Sequence, residues 1–548
     1  MMLRKTTALL TVTAAVTLVA GCGGNGNSGE STKAMEPPTD ASATTPPGKG
    51  PVDSINWALS SGEPTTLDPV KTGDYSPNTV LMNVCEPLLR MNADYSTSPG
   101  LAESWTQTPT SIVYKLRPGV KFSNGKPMTA DDVAGSLKRN MDPATDPING
   151  DFFTSVKSID ATGPLEVTVT MNKPDILFAE GMSTEFGDIV DVADATAAGA
   201  SYGTASHPPI CTGPYKVASW NAGSSITLQA RDDYWDTKLQ PMVKTVNFKF
   251  LEDTSTLTSA LLSGEIDGTY EAPSTSFDTL QKTDAGKLYL GPSTQVFNLS
   301  PANPETPMAK TELAQALDKA IDRAAIVKNV WHGAGTPNRA VIPPSSFGKG
   351  PGAAVFQKAY DALPDNSRPD IEGAKALVAK VGAPSKTMTL ALPAGDQSQL
   401  QIATFVQASA KSIGLNFDLK QMPATEFSSL FYDASKRKDV DLVLSAGYVE
   451  VPDPLSYAIL LFPKDALFNW TGFDNPQVDA DIAKARQETD PAASARAYVD
   501  AQAIWEAQKQ RVPIGTPYER LFMNKRITGA PASFAYINMP WAAMIGAS

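Results

Sequence analysis

"GLAESWTQTPTSIVYKLRPGVKFSNGKPMTADDVAGSLKR", residues 100–139, writes strand, turn and helix chemistry into one short run. Ile112, Tyr114 and Leu116 alternate with Ser111, Lys115 and Arg117, the period-two pattern of a half-buried strand. Pro118-Gly119 turns the chain, Val120 and Phe122 alternate again, and Asn124-Gly125 makes a second turn. Thr129 and Asp132 then have capping-box spacing: the hydroxyl can accept from the Asp132 amide while the carboxylate bonds back. Val133, Leu137 and Met141 supply the apolar stripe of the helix that follows.

The same punctuation continues outward. Residues 167–171, 225–230, 243–250, 388–392, 416–421 and 440–445 read as strands. Residues 312–331 read as one strong amphipathic helix with Leu313, Leu317, Ile321, Ala324, Val327 and Trp331 on one side. Further helices are expected over 377–381, 399–413 and 491–510, and no internal repeat is visible. Strands and helices alternating irregularly over this length give an α/β fold in more than one lobe.

At the start, Arg4 and Lys5 precede an uncharged apolar run over 8–20 that ends in Gly21-Cys22-Gly23-Gly24. This layout fits a secretory signal peptide, with a buried N-terminal helix as the alternative. The run is shorter than the roughly 20 apolar residues a spanning helix needs. Residues 23–51 are mostly Gly, Ser, Asn, Thr, Ala and Pro, with no apolar cluster to bury, so a disordered linker is expected. The remainder is ordinary globular sequence; the chain as a whole is 42% hydrophobic and 19% charged. Without Arg4 and Lys5, 44 basic and 58 acidic side chains remain. So acidic a body excludes nucleic acid as a partner and leaves no electrostatic attraction to an anionic membrane. Cys85 and Cys211 either pair, as exported cysteines often do, or sit as two separate buried thiols.

Several catalytic patterns fail on context. Gly199-Ala200-Ser201-Tyr202-Gly203 matches G-x-S-x-G, but the motif needs a strand before it and a helix after it. Here Ala-Thr-Ala-Ala precedes and His207-Pro208-Pro209 follows, so a loop is the better reading of Ser201. The formal G-x-G-x-x-G over 21–26 has no strand ahead of it. With only His207 and His332, and no C-x-x-C or H-E-x-x-H, neither a metal site nor a cofactor is implied. His332 follows a helix C-terminus, where capping is its plain role. The chain does not read as an enzyme.

Leu18-Val19-Ala20-Gly21-Cys22 resembles the lipobox of bacterial lipoproteins, which implies a diacylglyceryl anchor on Cys22. Residues 100–139 resemble family 5 of the extracellular solute-binding proteins, the dipeptide- and oligopeptide-binding components of ABC importers. The blocks "GEPTTLDP" (62–69), "NVCEPLLR" (83–90), "CTGPYKVASW…RDDYW" (211–235), "LLSGEIDG" (261–268), "LAQALDKAIDRAAIV" (313–327) and "NPQVDADIAKARQETDP" (475–491) follow in the family's order. The resemblance implies a periplasmic-binding-protein-like α/β fold of the class II (cluster C) type. Its two lobes are joined by two crossing segments, with an extra subdomain in lobe I. The expected organisation is signal peptide 1–21, lipidated Cys22 and linker 22–51, lobe I 52–293 with subdomain 97–208, lobe II 294–515 and a return to lobe I over 516–548.

The implied function is capture of di- and oligopeptides between closing lobes and their delivery to the permease of an ABC importer. The implied protein is a monomer on the outer side of the cell membrane, or in the periplasm where an outer membrane exists. The lipid is then its only hold on the membrane. Peptide binders can hold the ligand backbone as an added strand and its ammonium against an acid. "AGYVEVPDP" (446–454) stands where the family places that acid, one residue shorter than the usual form, with Tyr448 at a Trp position. Glu450 matches the ammonium-binding acid, with a solvated loop carboxylate as its plain alternative, and Asp453 the turn residue after it. Glu being longer than Asp, the ligand terminus can sit elsewhere, or the ligand need not be a peptide. Glu63 follows a strand end and can face the cleft; Phe297 and Asn298 lie where the chain crosses between lobes. Trp470 is either an aromatic wall or core packing. The alternatives are a metal chelate, haem, opine or sugar ligand, an extracellular sensor, and, most distant, an envelope hydrolase using Ser201.

Overall fold

The computed structural model describes residues 41–548; Cys22, the run before it and the linker up to residue 40 lie outside them. One sheet comprises β1 (Val52–Leu59), β8 (Tyr215–Asn221), β9 (Ser225–Ala230), β10 (Val243–Phe250), β11 (Gly268–Thr269), β12 (Gly286–Gly291) and β19 (Glu519–Asn524). Its spatial order is β12-β19-β11-β1-β10-β9-β8. A second sheet comprises β13 (Gln295–Pro301), β14 (Gly335–Pro337), β15 (Met388–Pro393), β16 (Phe417–Met422), β17 (Leu442–Tyr448) and β18 (Val512–Pro517). Its order is β14-β18-β13-β17-β15-β16. A four-stranded antiparallel sheet holds β4 (Ala102–Thr108), β5 (Ser111–Leu116), β7 (Glu166–Met171) and β6 (Val156–Gly163), in that order. Two ribbons, β2 (Leu89–Met91) with β3 (Thr97–Pro99) and β20 (Ile527–Thr528) with β21 (Gly546–Ala547), complete the strands.

The chain passes from the first sheet to the second between Gly291 and Gln295, and returns through Tyr518. Each large sheet has its own core. Trp57, Phe248, Tyr215 and Trp541 pack in the first lobe, and Leu299, Leu317, Leu390, Ile402 and Leu444 in the second. A third core spans the boundary. Phe152, Phe178 and Phe186, beside the four-stranded sheet, share it with Val451, Leu455, Tyr498 and Trp505 from the second lobe. The Arg486 guanidinium seals this contact against Asp175 at 2.7 Å. The lobes therefore touch directly at one end of the cleft.

The opening stretch folds as its chemistry dictates. Thr129 Oγ1 accepts from the Asp132 amide at 3.2 Å, Asp132 accepts from the Thr129 amide at 3.0 Å, and the helix runs Ala130–Arg139. Val133 and Leu137 are fully buried, worth about 1.5–3 kcal/mol each. Met141 lies beyond the helix end and is exposed, so the stripe is one residue shorter than expected.

Three expectations need correction. The helix expected over 312–331 is two helices, Thr311–Ala320 and Arg323–Asn329. Ile321 and Asp322 leave helical geometry, and Asp322 caps the second helix by accepting from the Ala325 amide at 2.9 Å. The break turns Arg323 inward, fully buried, where it donates to Asp318, Asn366 and Pro513 oxygens. Second, the described end of the linker is not free. Ser42 donates its amide to Leu290 O at 2.8 Å, Thr45 Oγ1 donates to Ala530 O at 2.7 Å, and Lys49 N donates to Ala547 O at 2.8 Å. Residues 42–50 thus lie along the C-terminal return and the strand entering the first crossing. Third, His332 has partners beyond the helix end: in left-handed backbone at φ 51°, it stacks on Phe277 with ring centroids 5.5 Å apart, and its Nδ1 lies 3.7 Å from Asp278.

Candidate functional site

A cavity of about 450 Å³ lies between the two large sheets, beside both crossings. Its position follows from strand pairing. β17 pairs antiparallel with β13 along its whole length, from Pro301↔Leu442 to Gln295↔Tyr448. On its other side it pairs with β15 only at Leu390↔Leu442 and Ala391↔Val443. Beyond Val443 the two parallel strands diverge, and residues 444–448 present a backbone edge with no strand neighbour. Ala446 on that edge lines the cavity, as do residues 394–399 at the end of β15. The carboxyl ends of diverging parallel strands are a recurring ligand crevice.

Side chains from distant segments close the remaining walls: Tyr75, Glu271, Gln295, Phe297, Trp331 and Arg520. Glu271 has left-handed backbone, φ 51°, a costly conformation for a residue with a Cβ. Its amide donates to Glu519 Oε1 at 2.8 Å, and its own Oε1 accepts from Gln295 Nε2 at 2.7 Å. Burial, and next the Glu519 carboxyl, push Glu271 up to about 8; burial takes Glu519 to about 7.

A second group of acids lies where the lobes meet. Glu450, just past β17, accepts from Asn538 Nδ2 at 3.0 Å. Glu185, from the first lobe, is buried beside it, and neither of its carboxylate oxygens has a hydrogen-bond partner among the described residues; nor has Asn538 Oδ1. Burial raises both acids, and the Glu450 charge raises Glu185 further. Nearby, burial takes Asp453 to about 6. Each of these acids binds its proton more tightly folded than unfolded. Their contribution to stability is therefore complete below about pH 4 and is lost as pH rises toward 8. The ligand-free protein is expected to melt several degrees lower at about pH 8 than at about pH 5. A melting temperature that rises over this interval in calorimetry would show the acids ionised and paired.

The residues singled out in the sequence scatter. Phe297 lines the cavity. Tyr448 packs edge-on against Tyr75 at 5.3 Å and donates its hydroxyl to Gly73 O at 2.8 Å across the cleft. Asp453 caps the helix Pro454–Leu461, accepting from the Leu455 amide at 2.8 Å. Asn298 is fully buried among Ser300, Ser445 and Arg511 and does not reach the cavity. Trp470 sits in its own core, with the Arg437 and Arg511 guanidiniums 4.5 and 5.5 Å from its ring centroid. Glu63 accepts from Trp220 Nε1 at 2.7 Å and from the Gly223 amide at 2.8 Å, bracing the β8–β9 hairpin. Cys85 and Cys211 are joined by a disulfide, with Cα atoms 4.8 Å apart.

The sequence did not mark Tyr75, Glu185, Glu271, Gln295, Arg520 or Asn538. Each is a single polar or aromatic residue without a local pattern, brought in by tertiary folding alone. The G-x-S-x-G run follows a helix, Val192–Ala198, and is a short turn in which Ser201 Oγ donates to Ala198 O at 2.8 Å. It lacks the strand that a nucleophile elbow requires. Among the described residues no group of three or more His, Cys, Asp or Glu is placed to hold a metal, and no helix is long and apolar enough to cross a membrane.

Known proteins share this architecture. The model of the bacterial extracellular solute-binding proteins, family 5 Middle, matches residues 96–469. The glutathione-binding protein GsiB of Escherichia coli (strain K12) is 25% identical over 477 residues, covering 85% of this chain and 89% of that one. Among solved structures, the binding protein AgaA in complex with agropinic acid from A. tumefacien R10 superposes with a TM-score of 0.77 at 23% identity, over 90% of this chain and 99% of that one. The binding protein DppA from Helicobacter pylori in complex with the peptide STSA gives 0.77 at 19% identity, over 91% and 98%. The fold is periplasmic-binding-protein-like, and none of these relatives is an enzyme. The chain belongs to family 5 of the bacterial extracellular solute-binding proteins of ABC transporters.

Proposed function

We propose that this protein captures short peptides with a free amino terminus between its lobes and hands them to the permease of an ABC importer. In this reading it works as a monomer, held at the outer face of the membrane by a lipid on Cys22. The observation that carries the reading is the unpaired edge of β17 over residues 444–448, opening on the cavity. An extended peptide can add to such an edge through main-chain hydrogen bonds, which are the same whatever its side chains. Past the end of that edge lies Glu450, with Glu185 beside it, as the receiver for the ammonium. A cavity of about 450 Å³ suits two to four residues rather than a long peptide. Similar proteins named for glutathione or holding the peptide STSA agree with a ligand of that length.

The test uses protein unfolded and refolded to strip any bound solute, mixed with a random tripeptide pool and examined by native mass spectrometry. Retention of tripeptides, with free-amine members enriched over N-acetylated ones, is the expected result. No retained peptide, with a different small molecule bound in freshly purified protein, would replace the peptide reading.

A further inference from the structure

We propose that Arg520, with the loop over residues 271–274, forms an anion subsite at the hinge end of the cavity that takes a carboxylate of the bound peptide. The inference rests on the peptide reading and adds a second point of recognition to it. Among the described residues, Arg520 is the only cationic side chain lining the cavity, whose other charged walls are Glu252, Glu271 and Asp396. Its charge lowers Glu271 and Glu519 from a distance, but it makes no direct ion pair among the described residues. Two of its donors are spent on positioning: Nε donates to Ala272 O at 2.7 Å and Nη1 to Tyr518 O at 3.1 Å. These bonds fix the plane of the guanidinium and leave Nη2 without a partner among the described residues. The left-handed residue Glu271 matters here, because it turns the loop so that the next carbonyl, Ala272 O, meets Arg520.

The neighbouring acids take hydrogen bonds from other groups. Glu271 is held by Gln295, Glu519 Oε1 by the Glu271 amide, and Asp396 by the amide of Gln399 at 2.9 Å, where it caps the helix Gln397–Ser412. Glu519 Oε2 is buried without a hydrogen-bond partner among the described residues, and burial favours the neutral form of both Glu271 and Glu519. A guanidinium that is fixed, unpaired and turned to a ligand cavity lacks only its carboxylate, the partner its fork geometry suits best. Tyr518 is the return crossing itself, so a ligand anion on Arg520 would bear directly on the connection between the lobes. With an ammonium receiver at Glu450 and an anion receiver at Arg520, the cavity selects peptides carrying both charges.

The experiment offers the refolded protein a tripeptide pool containing equal amounts of free acids and C-terminal amides, each with and without Asp or Glu side chains. Native mass spectrometry reads what is retained. Free acids should be retained at least about tenfold over amides lacking Asp and Glu, a ratio equal to about 1.4 kcal/mol. Arg520→Gln should bring that ratio to one while leaving the preference for free amines over N-acetylated peptides intact. Amides with an Asp or Glu side chain retained as well as free acids would assign the subsite to a side-chain carboxylate. Equal retention of acids and all amides by the unaltered protein would overturn the subsite without touching the peptide reading. Failure to retain any peptide would overturn both. Should Arg520→Gln not fold, Arg520→Lys keeps the charge but loses the fork, and an intermediate ratio is expected.

Discussion

Acetylating the amino terminus of a bound tripeptide is expected to weaken its binding about a hundredfold, and Glu450→Gln to remove most of that difference. Glu185, fully buried, and Glu450, half-buried, have one side-chain hydrogen-bond donor between them among the described residues, Asn538. Burial holds both acids above their usual range, and the Glu450 charge raises Glu185 further. A ligand ammonium brings a charge and three donors to the same place. An acetylated terminus brings one amide donor and no charge, and a carboxylate left unpaired in the interior costs about 3 kcal/mol or more. An ammonium favours the ionised form of these raised acids and releases their proton on binding, so affinity for free-amine peptides should rise as pH climbs above the usual carboxylate range, while that of acetylated ones stays flat. Titration calorimetry in two buffers of different ionisation enthalpy reads both the affinity and the released proton. Equal affinities for free and acetylated peptides, or no proton released, would remove Glu450 from the ligand's amino terminus. Glu185→Gln separates the two acids: it should abolish the pH dependence yet keep most of the preference for a free amine.

Local chemistry made much of the fold readable. The capping box at Thr129 and Asp132 and the alternation over 111–116 are interactions within a few residues, so their signal is in the sequence itself. Strands 225–230 and 243–250 end where the alternation ends. The break at Asp322 was hidden because apolar residues keep helical spacing on both sides of it. Only the buried contacts of Arg323 show that the second helix has a new phase. Residues 42–50 read as a tether because they carry no apolar cluster, but they bind largely through backbone groups, which composition does not record. The cavity was the least readable part. Glu271, Gln295 and Arg520 come from three segments joined by the two crossings, and nothing in the neighbourhood of any one of them announces the other two. Glu63 shows the opposite error. It stands after a strand end, as a cleft acid would, yet its carboxylate is taken up by Trp220 and Gly223.

Replacing both Cys85 and Cys211 by Ala is expected to cost about 2–5 kcal/mol of stability while leaving peptide affinity within about twofold. The bond spans a sequence separation of 126, a long loop whose closure restricts the unfolded chain strongly. The folded chain around it is held by other means. Gly213 N donates to Val84 O at 2.8 Å, Tyr215 N to Asn83 O at 3.0 Å, and Ser123 N to Cys211 O at 2.8 Å. The Asn83 side chain donates to Thr79 O and accepts from the Ala542 amide, both at 2.9 Å. The helix Tyr75–Leu81, which places Tyr75 in the cavity wall, is therefore fixed without the bond. Substituting both cysteines leaves no free thiol, and because both sulfurs are fully buried, Ala leaves only a small void. Denaturant titration gives the stability, and calorimetry at 25 °C the affinity. A large loss of affinity in a variant that remains folded would mean that the disulfide positions Tyr75 directly. An unchanged denaturation midpoint would mean that the unfolded chain is already restricted by other contacts.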